Sequence, residues 1–445
     1  MPTFFPGPTP VIPLCPQGII GPGDVCVHKS GPAFARASGS TIVAVSKRTP
    51  GAAAAFAARL PGGGAGVAAY TDAASLFADA AVDAVYIATP PGAHAALTAA
   101  AAAAGKAVYV EKPMARCGAE AAAMAASVGG GRLAIAYYRR SLAKYVWVRS
   151  LLVGPTAAGT LPAGGVVTPS SAPVPAAGCL GTLTGVTYTY VGNHPAGGVG
   201  WRDDPPVSGG GMMLDVGVHV VNLLQQWFGE DPTVEGTPEA TADPASGVEA
   251  TVAFRLRFPP GGCAAAAGGV AADFSFDFCA GAAARKVDEL VLTGTAASAR
   301  LSVLGVPGAV TVTPADGGAP TAVSFPAPAH VQQPLIQAVV DEWTGGAGAP
   351  RQPSPAGPAV RTSELVDEVL RGVYGPRGMG FWETWTKPVG GGQARERGPV
   401  PLFSYPSFPL FRLLPPWGVE LDAAGSGDVI GAVRVAMSHR FEGII

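Results

Sequence analysis

Between residues 17 and 150 the chain alternates short apolar runs with stretches that suit helices. The runs are 17–20, 41–45, 82–89, 107–110 and 133–138. Between them lie 30–38, 52–60, 73–78, 93–104 and 119–127, most of them rich in alanine. Strands that alternate with helices predict βαβ units and a parallel, doubly wound sheet, an α/β fold. The rhythm breaks at 153–181, a Pro/Gly/Ala/Ser-rich stretch that reads as a flexible insertion. Strand-like runs then follow at 184–191, 248–258, 271–278, 287–293, 299–303 and 309–312. Few helical stretches separate them, which predicts an open, largely antiparallel sheet. Helices are predicted over 331–343 and 360–373. From Gly375 the chain turns dense in Pro, Gly and Trp without a sustained period, and reads as a loosely docked tail.

This pattern predicts an atypical segment at 1–16, a dinucleotide-binding Rossmann domain at 17–150, a C-terminal α+β domain at 151–374 and the tail at 375–445. Pro13 and Pro16 disturb the first strand, because proline cannot donate to a central ladder.

Composition narrows the class. Of 445 residues, 48% are hydrophobic, enough for a sizeable core, and 13% are charged, too few for a disordered chain. A net charge of −2 points away from nucleic acid and from anionic membranes. The six cysteines, Cys15, Cys26, Cys117, Cys179, Cys263 and Cys279, form no C-x-x-C pair. Neither a zinc site nor a disulfide scaffold is expected, and reduced thiols fit a cytoplasmic setting. The alanine run at 95–104 is too short to span a membrane, and the first residues lack the bias of a secretory or transit leader.

Candidate chemistry begins with GIIGPGDV at 18–25, between the first strand and a helix. Gly21 suits a tight turn. Gly23 would let backbone N–H groups approach a pyrophosphate at the helix start, with Asp24 and Val25 following. Cys26 stands where this fingerprint has Gly or Ala. After the second strand come Ser46, Lys47 and Arg48. No carboxylate waits there for a ribose 2′-hydroxyl, and two cations would welcome a 2′-phosphate. The expected cofactor is NADP, with NAD as the alternative.

A buried strand then ends in Glu111-Lys112-Pro113. Farther on, the glycine run 209–211 precedes Asp215 and His219, spaced i and i+4 on one helix face. Glycines in such a run permit close approach to a flat ring, and a carboxylate one turn from a histidine suits proton transfer.

With these residues in hand, the chain resembles the glucose-fructose oxidoreductase / inositol dehydrogenase / rhizopine-catabolism oxidoreductase family. The features that carry the resemblance run in the family's order: the glycine loop, YIATPPGAH (86–94), YVEKPMA (109–115), AYYRR (136–140), GWRDDP (200–205) and GGGMMLDVGVH (209–219). The resemblance covers residues from about 17 to 372. The resemblance implies a Rossmann domain followed by an α/β domain whose sheet often mediates homo-oligomerisation. It also implies hydride transfer between NAD(P) and a sugar, polyol or related carbonyl, with a small-molecule substrate as the only partner needed. By resemblance, Lys112, Asp215 and His219 are catalytic. Thr89, Pro90, Pro91, His94, Glu111, Arg139, Arg140, Trp201 and Arg202 line the cofactor with Lys112, and Tyr138 lies near it. The bond before Pro113 is expected to be cis. In the expected mechanism the nicotinamide lies over the glycine run, and His219 exchanges the hydroxyl proton. Asp215 orients the imidazole or holds a substrate hydroxyl, and Lys112 stabilises charge on the reacting oxygen. No metal is expected. The competing readings are a trans-dihydrodiol dehydrogenase-like enzyme and a non-catalytic, dinucleotide-binding regulator.

Overall fold

A computed structural model describes residues 15–386, except 24, 131, 153–177, 195–199, 261–268, 282 and 306. The segment ahead of residue 15, Asp24, most of the predicted insertion and the tail beyond 386 therefore lie outside the described residues.

Strands β1 (Cys15–Ile20), β2 (Ser40–Ser46), β3 (Ala68–Tyr70), β4 (Ala84–Ile87), β5 (Ala107–Val110) and β6 (Leu133–Ile135) form one parallel sheet in the order β3-β2-β1-β4-β5-β6. Helices α1 (Gly31–Arg36), α2 (Ala52–Ala57), α3 (Ala73–Ala78), α4 (His94–Ala103) and α5 (Gly118–Val128) connect the strands. This is the doubly wound Rossmann arrangement that the sequence predicts. Strands β4 (AVYI) and β5 (AVYV) are buried at every position, as central parallel strands with both faces covered must be. Strand β3 has three residues, too few for a periodic signal.

Pro16 does lie within β1, and the sheet tolerates it for a definable reason. Its carbonyl accepts from the Asp83 N–H, and β4 pairs with β1 only from Gln17 onward. The missing donor thus sits where the ladder has not yet begun.

Next come α6 (Ala143–Leu152), a helix the apolar pattern does not reveal, then α7 (Pro205–Ser208) and α8 (Val218–Phe228). The second sheet holds β7 (Leu183–Val191), β8 (Thr233–Ala242), β9 (Glu249–Phe258), β10 (Val270–Asp277), β11 (Val287–Gly294), β12 (Ala297–Leu301), β13 (Gly308–Pro314) and β14 (Thr321–Phe325). Its order is β14-β13-β12-β11-β7-β10-β9-β8. Every pair is antiparallel except β7 with β10. The sequence pattern omits both edge strands. In β8, TVEGTPEATA, no position is buried, so there was no alternation to read. The run from Pro205 to Phe228 is long and apolar enough to cross a membrane, but most of it is buried inside the protein.

The chain closes with α9 (Gln333–Thr344), α10 (Ala356–Val369), α11 (Arg371–Tyr374) and α12 (Phe381–Thr384). Helix α9 does not stay with the second sheet. Its apolar stripe, Leu335, Ile336, Val339 and Val340, joins the core cluster of Ile19, Phe34, Tyr86 and Tyr109 on the first sheet. Each such side chain contributes about 1.5–3 kcal/mol when buried. Residues 375–386, read from sequence as the start of a loose tail, are instead docked, with Trp382 buried.

Candidate active site

Four of the parallel strands run out at one edge, where open α/β sheets bind ligands. There β1 ends just before Gly21, β2 at Ser46, β4 just before Thr89 and β5 just before Glu111 and Lys112. The Lys112–Pro113 peptide is cis. The Lys112 ammonium donates to Asp215 Oδ1 at 2.5 Å and to the Asp215 carbonyl at 2.8 Å. Arg202 Nε reaches Asp215 Oδ2 at 3.2 Å and its guanidinium lies over Trp201, 4.6 Å from the ring centre. Burial would raise the Asp215 pKa, but Lys112 and Arg202 outweigh it and hold the carboxyl at about 2. Residues about a hundred positions apart thus meet in one charged cluster.

His219 is the second residue of α8 and is 6% exposed. It stands edge-on to Tyr137 and Tyr138, with ring centroids 6.1 and 5.6 Å away. Burial pushes its pKa well below 6.5, and the charges of Arg139 and Lys112 push the same way. The imidazole is neutral at neutral pH. Its Nδ1 is buried and has no hydrogen-bond partner among the described residues. Among the described residues no hydrogen bond joins Asp215 to His219. The i, i+4 reading is altered by a wide π-type turn at Met213–Gly217, just ahead of α8. Asp215 orients Lys112, not the imidazole.

The glycine loop offers room and donors for a dinucleotide. Gly21 has φ +65°, and a Cβ there would lie 2.5 Å from Thr89 Cγ2, so only glycine lets the turn rest on that residue. A Cβ on Gly23 would meet nothing within 4 Å, so the outer side of the loop is open. Thr89 Oγ1 is buried without a partner. Lys47 Nζ crosses the loop to the Pro22 carbonyl at 2.8 Å, Ser46 is buried and Arg48 is exposed beside it. Val25 opens the helix and Pro90 leads into the turn at Pro91–Ala93. These residues fit a nicotinamide dinucleotide. Cys26, fully buried, has its thiol pushed up to about 12 by burial. A π-type turn at Cys26–Ser30 closes at Gly31, whose backbone N–H donates to the Cys26 carbonyl.

Several expected roles do not survive the geometry. His94 is wholly buried, and its ring nitrogens face backbone carbonyls, Nε2 that of Thr89 (2.9 Å) and Nδ1 those of Pro113 and Met114 (3.1 and 3.2 Å), one of the two nitrogens carrying the N–H. It ties the Thr89 loop to the Lys112 turn and is not free to line a cofactor. Glu111 turns inward to accept from Tyr86 and Gln332. Arg139 is buried and donates to the carbonyls of Val303 and Leu304. Arg140 is buried too, and binds Asn222, Glu230 and the Pro353 carbonyl. Both arginines join the two sheets' elements to each other, because a buried guanidinium must spend its donors on whatever acceptors surround it.

The glycine run is likewise filled by protein, not left open for a ring. A Cβ on Gly209 would lie 2.7 Å from Arg116 Cα, one on Gly210 2.7 Å from Leu214, and one on Gly211 2.9 Å from Val248. Gly209 also has φ +88°. Gly209→Ala is therefore expected to destabilise the fold by on the order of 2–4 kcal/mol. A urea titration with an unchanged midpoint would show that the Arg116 and Gly209 backbones can separate.

Sequence reasoning missed Glu249, buried at the start of β9. It accepts from the Gly211 N–H (3.0 Å), the Met213 N–H (2.7 Å) and the Tyr374 hydroxyl (2.7 Å). One glutamate opening a strand carries no local signal, and its partners lie far away in the chain.

Residues 17–130 match the family model described as an oxidoreductase family with an NAD-binding Rossmann fold, and residues 174–300 match the GFO/IDH/MocA C-terminal domain. Oxidoreductase P35 of Formosa agariphila is 31% identical over 327 residues, 73% of this chain and 89% of that protein. The chain belongs to the Gfo/Idh/MocA oxidoreductase family. It is an NAD(P)-binding oxidoreductase, and its cofactor is a nicotinamide dinucleotide. Two solved structures share the fold of this Gfo/Idh/MocA protein. Levoglucosan dehydrogenase, complexed with NADH and levoglucosan, has TM-score 0.62 at 20% identity, covering 80% of this chain and 96% of its own. A 3-ketoreductase from Actinomadura kijaniata, with NADP and TDP-benzene, has TM-score 0.61 at 19% identity, covering 81% and 98%.

Proposed function

We propose that the protein is an NADP-preferring oxidoreductase that interconverts a CH–OH group and a carbonyl on a sugar, polyol or related small molecule. The observation that carries this reading is the Lys112–Asp215 contact at the carboxyl edge of the parallel sheet, beside an open glycine loop. A sensor would have no use for an ammonium fixed by a carboxylate next to a neutral imidazole.

Gly21, Gly23, Val25, Thr89 and Pro90 would hold the dinucleotide, which supplies or accepts the hydride when bound. The chain's own residues do the rest. Lys112, held by Asp215, donates a hydrogen bond to the reacting oxygen and stabilises negative charge on it. His219, neutral, takes the hydroxyl proton as alcohol becomes carbonyl. Asp215 stays ionised throughout and spends its charge on Lys112 and Arg202. A neutral imidazole is the form that takes this proton, and in the reverse reduction the protonated form returns it. The test is a turnover screen of sugars, inositols and dihydrodiols with NADP and NAD, and of their carbonyl forms with the reduced cofactors. Absence of turnover across all three classes would defeat the reading.

Cofactor choice has its own test. Lys47 and Arg48 follow β2 where a ribose 2′-phosphate would arrive, and a charge-assisted contact contributes about 1.5–3 kcal/mol. NADPH should bind on the order of tenfold or more tightly than NADH, and the Lys47→Ala/Arg48→Ala pair should erase most of that gap. Equal affinities of the unaltered protein in a nicotinamide fluorescence titration would count against NADP.

A further inference from the structure

The geometry points to residues 374–385 as a buckle that sets the Lys112–Asp215 contact, with Tyr374, Arg377 and Glu383 as positioning residues for the reaction. This rests on the catalytic assignment of Lys112 and Asp215 above.

The buckle grips both sides of that contact. On the Asp215 side, the Tyr374 hydroxyl donates to Glu249 at 2.7 Å. Glu249 in turn holds the N–H groups of Gly211 and Met213, the latter two residues ahead of Asp215. Arg377, its side chain fully buried, donates to the Gly209 carbonyl at 2.7 Å. On the Lys112 side, Glu383 pairs at 2.9 Å with Arg116, four residues after Lys112. Arg377 is also paired with Asp367 at 2.6 Å, and Asp367 accepts from Gly118 N–H at the start of α5 at 2.7 Å. Trp382 is buried edge-on to Tyr374 with centroids 5.5 Å apart, which fixes the segment as one piece.

These bonds do more than close a surface. The two loops they hold meet where Gly209 lies against the Arg116 backbone, and the Arg116 guanidinium, which Glu120 also holds, donates to the Pro206 carbonyl at 2.8 Å. The helical rod that carries Asp215 and His219 starts at Met213, and its first N–H groups end on a buried carboxylate of fixed position. Freedom at Glu249 or at Arg116 therefore becomes freedom between the ammonium and the carboxylate. Displacing reacting groups by about 1 Å can cost up to a hundredfold in rate.

The experiment uses the full chain with Tyr374→Phe, Arg377→Met and Glu383→Gln, and with Lys112→Met as the control. Each is assayed with a substrate from the screen for kcat, KM, NADPH affinity, melting temperature and the pH profile of kcat. Tyr374→Phe and Glu383→Gln each remove one contact and keep the shape, so they remain informative if Arg377→Met does not fold. The expected result is a kcat lower by about tenfold or more at temperatures well below melting, with NADPH affinity unchanged. The acid-side loss of kcat should also move to higher pH, since a loosened Asp215 is protonated more readily. A purely structural role would lower the melting temperature and leave kcat and its pH profile in place, and that outcome overturns the proposal. If Lys112→Met itself keeps full turnover, the catalytic assignment has failed. If Lys112→Met is inactive while Tyr374→Phe and Glu383→Gln match the unaltered enzyme, only the buckle has failed.

Discussion

Lys112→Met is expected to lower turnover by on the order of a hundred- to a thousandfold while leaving NADPH affinity nearly intact. Methionine keeps most of the length and apolar stem of lysine but removes the ammonium that faces both Asp215 and the reacting oxygen. Two things are lost together. The developing negative charge loses this donor, and among the described residues Asp215 keeps Arg202 as a partner. Burial, which Lys112 now outweighs, would then raise the Asp215 carboxyl from its value of about 2. The variant should consequently lose its remaining activity at a higher pH than the unaltered enzyme on the acid side. Steady-state kinetics with a confirmed substrate, run beside a fluorescence titration of NADPH, reads both effects. Turnover within a few-fold of normal would remove Lys112 from the mechanism.

His219→Ala should cut turnover by on the order of a hundredfold or more, the usual range for a lost general base. The pH dependence of the unaltered enzyme separates this histidine from an ordinary one. Its folded-state pKa is depressed by burial and by Arg139 and Lys112, so it remains neutral below 6.5. Alcohol oxidation should thus stay level as the pH falls through 6.5 and decline only well below it. Stability follows the same sign. The unfolded chain binds a proton near pH 6.5 and the folded chain does not, so a contribution present above 6.5 is lost as the pH drops. His219→Gln should flatten that acid-side loss in urea midpoints between pH 7 and pH 5. An oxidation rate that halves at pH 6.5 would contradict a neutral, buried base.

The parallel sheet was legible because central strands such as AVYI and AVYV leave unbroken apolar runs. The Lys112–Asp215 cluster was legible because the glycine run and the Glu-Lys-Pro turn sit next to its members in the chain. What the sequence hid has a common physical cause. Edge strands such as β8 have no buried face, and β3 is too short to show a period. Arg139, Arg140 and His94 looked like ligand contacts because charged and ring nitrogen groups suit ligands. Their actual partners are backbone carbonyls and α8 side chains that only folding brings near. Glu249 and Arg377 were invisible for the same reason, since a buried charge is defined by its distant partners. The glycine run was noticed correctly but given the wrong neighbour, the Arg116 backbone standing where a flat ring was expected.

The return of α9 onto the first sheet decides how this enzyme can be taken apart. A cassette cut after residue 150 would carry the nucleotide-binding strands away without Leu335, Ile336, Val339 and Val340, and would leave Phe34, Tyr86 and Tyr109 short of their cover. Gln332, next to the first residue of that helix, would no longer hold Glu111 beside Lys112. Grafting a new substrate half onto this nucleotide-binding half therefore requires two splice points, the second placed after Thr344, so that the helix travels with the sheet it covers.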